Sequence, residues 1–183
     1  MKKYFYAVTV IGKDKPGIVA GVAKVLYDKG FSIEDSSSTL LKDQFSMIVI
    51  VSIENNISIL ELKKSFYKVR ADLNMSVSIR RIEPEELEEL EHKKEGNMFM
   101  VSVYGSDKPG IVYGVSKAFA DNAINIIDLR TRVTKADNPL YVMIMEISVP
   151  VEIEEEQLNE LLETTCSKLG VDYSARKIET YEL

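Results

Sequence analysis

Two places in the chain carry the same residues of possible chemical use: Asp14-Lys15-Pro16-Gly17-Ile18-Val19 and, 93 positions later, Asp107-Lys108-Pro109-Gly110-Ile111-Val112. The identity runs on through Gly21-Val22 and Gly114-Val115, with Ala20 against Tyr113 as its one difference. Each copy follows a short apolar run and a glycine, Gly12 or Gly105, and opens a stretch with helical apolar spacing. That context predicts a strand-to-helix turn. Proline fixes φ and lacks an N–H, and glycine reaches backbone conformations that other residues avoid. A helix begins with unpaired N–H groups and the positive end of its dipole, so a carboxylate or phosphate fits at its start. A second reading is structural: Asp14 and Asp107 are caps that accept from the Gly17 and Gly110 N–H groups.

The elements that hold these turns follow from periodicity. Residues 4–11 read as a strand, and Ile18, Val22 and Leu26, flanked by Val19 and Ala23, as one helical face that Lys29 and Gly30 end. Residues 31–41 and 45–53 form an expected hairpin, the first strand half exposed and the second central. Ser58 and Glu61 read as a capping box for one amphipathic helix through Ile59, Leu62, Phe66, Val69 and Leu73, and residues 75–82 as a closing strand. The order β-α-β-β-α-β is the split βαβ, or ferredoxin-like, arrangement.

The second half repeats this plan: a strand over 98–104, a helix through Ile111, Val115 and Phe119, and strands over 124–134 and 140–149 around an Ala136-Asp137-Asn138-Pro139 turn. Leu158, Leu161, Leu162, Thr165 and Leu169 mark a last helix, which Gly170 ends, and residues 171–178 close the sheet. Between the halves, residues 84–97 hold six glutamates and a Lys93-Lys94 pair before Gly96, the polarity of a solvated helical linker. The expected fold is therefore α+β: two ferredoxin-like βαββαβ domains, residues 1–83 and 97–183, joined by an acidic linker over 84–96.

Several function classes are disfavoured by composition. In 183 residues, 45% hydrophobic and 28% charged, no apolar run approaches the ~20 residues of a membrane helix. A net charge of −6 opposes a phosphate-backbone partner. No run matches the aromatic pattern by which RNA-recognition modules of this topology stack bases. The one histidine, His92, lies in the charged linker, and no nucleophile–base pair or metal-ligand cluster repeats near the turns. Catalysis, a metal and a cofactor are not expected. The one cysteine, Cys166, falls on the polar side of its helical pattern and reads as a passive thiol. The N-terminus runs straight into a strand pattern, which reads as cytoplasmic.

The Asp-Lys-Pro-Gly-Ile-Val turn opening the first helix, with Ser32-Ile33 or Asn125-Ile126 starting the second strand of a β-α-β-β-α-β unit, resembles the ACT domain in both halves. The tandem, with Ser32-Ile33-Glu34-Asp35-Ser36 in its first half, resembles the family of the glycine cleavage system transcriptional repressor. The resemblance implies a regulatory fold that binds an amino acid where two such domains meet, between the first strand–helix loop of one and the second strand of its neighbour. It assigns the loop positions to Asp14, Pro16, Gly17 and Ile18 and to Asp107, Pro109, Gly110 and Ile111. The strand positions it assigns are Ser32, Ile33, Asn125 and Ile126. The first half has Ser32 where the family's pattern has an asparagine.

An amino acid suits such a place chemically: its carboxylate meets the free N–H groups of a helix start, its ammonium pairs with an aspartate, and the Asn125 amide donates and accepts at once. The expectation is a cytoplasmic regulator that senses a small amino acid at the inter-domain interface, as a homodimer or larger. It acts through a protein partner, without direct contact to nucleic acid or membrane. Asn125, facing the Asp14–Ile18 loop, is expected to make the stronger of two unequal sites. A ligand-free assembly module is the alternative.

Overall fold

The computed structural model describes residues 3–83, 85–86, 96–135 and 139–178. They fall into two compact units, Met1–Glu91 and His92–Leu183. The acidic linker, apart from Glu85, Glu86 and Gly96, lies outside the described residues, as do His92 and most of the turn expected over 136–139.

The first unit runs β1 (Tyr4–Lys13), α1 (Ile18–Asp28), β2 (Ser32–Leu41), β3 (Gln44–Ile53), α2 (Ile59–Ser65), α3 (Tyr67–Leu73) and β4 (Met75–Ile82). The second runs β5 (Gly96–Ser106), α4 (Ile111–Asp121), β6 (Asn125–Val133), β7 (Leu140–Pro150), α5 (Glu155–Leu169) and β8 (Val171–Lys177). The sheets have the orders β2-β3-β1-β4 and β6-β7-β5-β8, with every neighbouring pair antiparallel. This is the ferredoxin-like plan, twice.

Alternation along the central strands builds each core. In the first unit Tyr6, Val8 and Val10 of β1 pair with Val51, Val49 and Met47 of β3, and all six are buried together with Ile18, Val22 and Leu26 of α1 and Leu62 of α2. In the second, Phe99, Val101 and Val103 lie with Met143, Met145 and Ile147 beneath Ile111, Val115, Phe119, Leu158 and Leu162. The helices thus cover one face of each sheet. Two glycines bring those helices close: a Cβ on Gly21 would stand 3.2 Å from Val69, and one on Gly114 3.0 Å from Leu169.

The structure corrects several expectations. The single helix expected over 59–73 is two, with fully buried Phe66 at the junction (φ −84°, ψ −5°), where its side chain fills the core. The capping box there is half made: Ser58 Oγ accepts from the Glu61 N–H at 3.1 Å, while the Glu61 carboxylate pairs with Lys29 Nζ at 3.4 Å. The complete box caps α5, between Glu154 and Gln157. β2 is exposed along its whole length on both faces, because an edge strand beyond the reach of the helices has nothing to cover it. Val19 is also half exposed and does not join the buried face of α1. Cys166 is not on a polar face. It is fully buried beside Leu162, and burial, with smaller effects of the Glu163 and Asp172 charges, raises its thiol pKa to about 11. It is a core side chain, inert as a nucleophile.

Candidate functional site

The two Pro-Gly turns have one geometry. Gly17 (φ 96°, ψ −6°) and Gly110 (φ 98°, ψ −9°) both hold the left-handed region where a side chain is strained. Gly21 N–H donates to Gly17 C=O and Gly114 N–H to Gly110 C=O, each at 2.8 Å, so the first three helical N–H groups, 18–20 and 111–113, precede the ladder. Among the described residues, no side chain makes a capping hydrogen bond to either helix start. The reading of Asp14 and Asp107 as caps is therefore not what the structure has. Asp14 is instead tied by its backbone, its N–H donating to Asp43 C=O at 2.9 Å. Asp14, Pro16 and Gly17, and likewise Asp107, Pro109 and Gly110, are exposed. Ile18 and Ile111 are buried core anchors and offer a ligand only their backbone.

The strand positions lie at the other end of the sheet. Lys13, where β1 runs into its turn, pairs with Gln44, whereas Ser32 pairs with Ser52, eight residues further along β3. In the second unit Ser106 pairs with Leu140 and Asn125 with Ser148, again eight residues apart on β7. At about 3.3 Å of rise per residue, each strand start is roughly 26 Å from its own turn. Within one unit the structure gathers Asp107, Pro109, Gly110 and Ile111, and separately Asn125 and Ile126; it does not join the two groups. The same holds for Asp14, Pro16, Gly17 and Ile18 against Ser32 and Ile33.

Each strand start opens on a cleft. Asn125 lines one of about 430 Å³ with Gly96, Ala123, Ser148, Val151 and Glu152. Ser32 lines the corresponding one, about 300 Å³, with Lys3, Lys29, Ser52, Glu54 and Asn55. Beyond Ile33 and Ile126 the ladder slips by one residue in both repeats, a β-bulge that sets Glu34 in the first and Ile127 in the second out of register. Ser52 Oγ donates a short hydrogen bond to the Glu34 carboxylate, which also pairs with Lys3 at 3.1 Å. The Ser52 bond first, then Lys3, holds the Glu34 carboxyl below its ordinary range. Ile127 is half exposed and apolar. The sequence shows Glu34 only as one acid in a polar strand, since the bulge that singles it out is a property of pairing.

The family model of the ACT domain matches residues 5–80 and 97–176. This chain belongs to the ACT domain family. A UPF0237 protein of Methanopyrus kandleri is 40% identical over 74 residues, 40% of this chain and 82% of the relative; one of Methanocaldococcus jannaschii is 39% identical over 74 residues, with the same coverage. Each alignment is one ACT repeat long. Among solved structures, a protein of unknown function from Galdieria sulphuraria matches with a TM-score of 0.76 at 24% identity, over 97% of this chain and all of its own. A candidate glycine cleavage system transcriptional repressor matches with a TM-score of 0.75 at 20% identity, over 98% and 100%. At those identities the shared feature is the fold. Among the described residues of this ACT protein, no helix is long and apolar enough to cross a membrane.

Proposed function

We propose that this tandem ACT protein is a regulator that binds a small α-amino acid and passes the signal to a protein partner, controlling amino-acid metabolism without catalysis of its own or direct contact with nucleic acid. The observation that carries the reading is the uncapped helix start at Gly110, repeated at Gly17, in a chain that also sets an exposed amide, Asn125, at the mouth of a cleft. A helix start without a capping side chain leaves donors for a carboxylate. Asn125 supplies a donor and an acceptor for the rest of the ligand.

Because a turn and its own strand start are roughly 26 Å apart along the sheet, one small ligand that uses both must take them from different ACT units. Binding of this kind is coupled to how those units are arranged, and a ligand changes regulation by the difference in its affinity for two arrangements. Asn125 with an Asp14–Ile18 turn makes the stronger site, and Ser32, with its shorter hydroxyl, belongs to the weaker one. Different units are supplied by the two halves of one chain or by two chains of a dimer or larger assembly. The fully exposed edge strand β2 favours one rival reading, a pure assembly module in which edges pair and nothing is sensed. A thermal-shift screen of the twenty amino acids separates the two: a selective rise in melting temperature with one or a few supports sensing, and no rise with any supports assembly alone.

A further inference from the structure

The second repeat holds a polar atom that its own fold leaves without a partner. Tyr141 is 7% exposed, and its hydroxyl is, among the described residues, the buried side-chain oxygen or nitrogen with no hydrogen-bond partner. Native proteins pair nearly all such groups, and an exception points to an absent water, ion or ligand. Tyr141 lies on the helix-facing side of β7, in line with Met143 and Met145, and pairs with Gly105, two residues before Asp107. It shares a core with Ile111, the first residue of α4. Register with Gly105 and the reach of the Asp107 charge thus put the phenol at the end of the sheet where the turn leads into α4, whose N–H groups 111–113 precede the helical ladder. Burial first, and then the nearby charge of Asp107, raise its pKa, so the group stays a protonated donor at neutral pH. Opposite Gly12, the same place in the first repeat, stands Phe45, which has the ring and lacks the hydroxyl.

We infer that the Tyr141 hydroxyl is a recognition group of the second Pro-Gly turn, donating to a carboxylate oxygen of an α-amino acid whose other oxygen accepts from the start of α4. The inference rests on the amino-acid reading given above and adds a side-chain donor that one turn has and the other lacks. Asp107 narrows the ligand class: its negative charge repels a bare carboxylic acid and is satisfied by a ligand that brings an ammonium with its carboxylate. The second turn thereby gains in side-chain donors what its distant strand partner, Ser32, lacks in reach.

The test is an amide NMR titration of the full chain with glycine, alanine, serine and acetate, following the Gly110 and Gly17 signals in wild type, Tyr141→Phe and Phe45→Tyr. The expected result is saturable movement of Gly110 by at least one of the amino acids, at least tenfold tighter than acetate. Tyr141→Phe should weaken it about tenfold at Gly110 while leaving Gly17 as in wild type, and Phe45→Tyr should tighten Gly17. Free of ligand, Tyr141→Phe should melt no lower than wild type, since it deletes an unpaired group and keeps the ring. Equal titrations at Gly110 in wild type and Tyr141→Phe would overturn the role of the hydroxyl while leaving the turn a binding site. A lower melting temperature for the free variant would also overturn it, by showing a partner in the free protein. If neither these amino acids nor any of the twenty that a thermal-shift screen selects moves either glycine, the amino-acid reading fails and this inference with it.

Discussion

Superposed in sequence, the two repeats agree at their turns, where Asp14-Lys15-Pro16-Gly17 matches Asp107-Lys108-Pro109-Gly110, and differ at their strand starts and opposite Gly12 and Gly105. Gly17 and Gly110 share one left-handed conformation, and Gly21 and Gly114 each admit a leucine from the facing helix. Yet Ser32 stands against Asn125, the bulge residue Glu34 against Ile127, and Phe45 against Tyr141. The first repeat carries a charged, internally paired strand start at one end of its sheet and Phe45 at the turn end. The second carries an open amide at its strand start and the buried Tyr141 hydroxyl at the turn end. The two repeats share a scaffold and differ in these side chains, so each serves as the control for the other.

The largest effects should come from the helices that differ in continuity. Phe66 sits at the break between α2 and α3, and Leu162 within the unbroken fifteen-residue α5. Truncating either to alanine opens a cavity, and we expect a cost of about 3–5 kcal/mol for Phe66→Ala and about 2–5 for Leu162→Ala. Residue-resolved amide exchange should place the first loss in residues 3–82 and the second in 96–177. A loss spread evenly over both units by either variant would contradict two separate cores.

Smaller and equal in the two repeats should be the cost of a side chain at the turn glycines. A Cβ at Gly17 or Gly110 meets nothing within 4 Å, so only the positive φ resists it. Gly17→Ala and Gly110→Ala should each lose about 1–3 kcal/mol in denaturant unfolding. A marked inequality would mean that one turn has a role in packing.

The smallest effect should be confined to the first repeat. Removing the Ser52 hydroxyl deletes the leading cause of the depressed Glu34 pKa, so in Ser52→Ala its NMR titration midpoint should rise toward the ordinary 4.5. A carboxyl whose pKa is depressed on folding adds stability above its unfolded pKa, and that contribution disappears as pH falls through the folded value. The difference between wild type and Ser52→Ala should therefore begin to shrink as pH falls toward 4.5 and vanish only below the depressed folded value. An unmoved midpoint would show that Lys3 alone sets it.

Much of this was legible in the chain. The repeat, the strand order and the Pro-Gly turns follow from residues that backbone geometry demands, such as Gly17 and Gly110, and from apolar periods that one-sided cores impose. Phe66 shows where periodicity stops informing: a helix and a helix with a break at a buried aromatic have the same spacing of apolar residues. Cys166 was misplaced for a related reason, since α5 buries a stripe that includes a small sulfur side chain which looked polar by its neighbours. The separation of each turn from its own strand start was not legible, because antiparallel register decides which ends of a sheet coincide. Glu34 and Tyr141 are not marked in the sequence, because a bulge and an unpaired hydroxyl exist only once strands are paired.

Unequal amino-acid binding is tested most directly by titration calorimetry on wild type, Asn125→Ala and Ser32→Ala with each ligand that a thermal-shift screen selects. The prediction is saturable heat in wild type, a loss of about 1–3 kcal/mol in binding free energy for Asn125→Ala through its missing hydrogen bonds, and a smaller loss for Ser32→Ala, with both variants folded. Equal losses in the two variants would contradict the asymmetry, and no heat from wild type with any amino acid would contradict sensing itself.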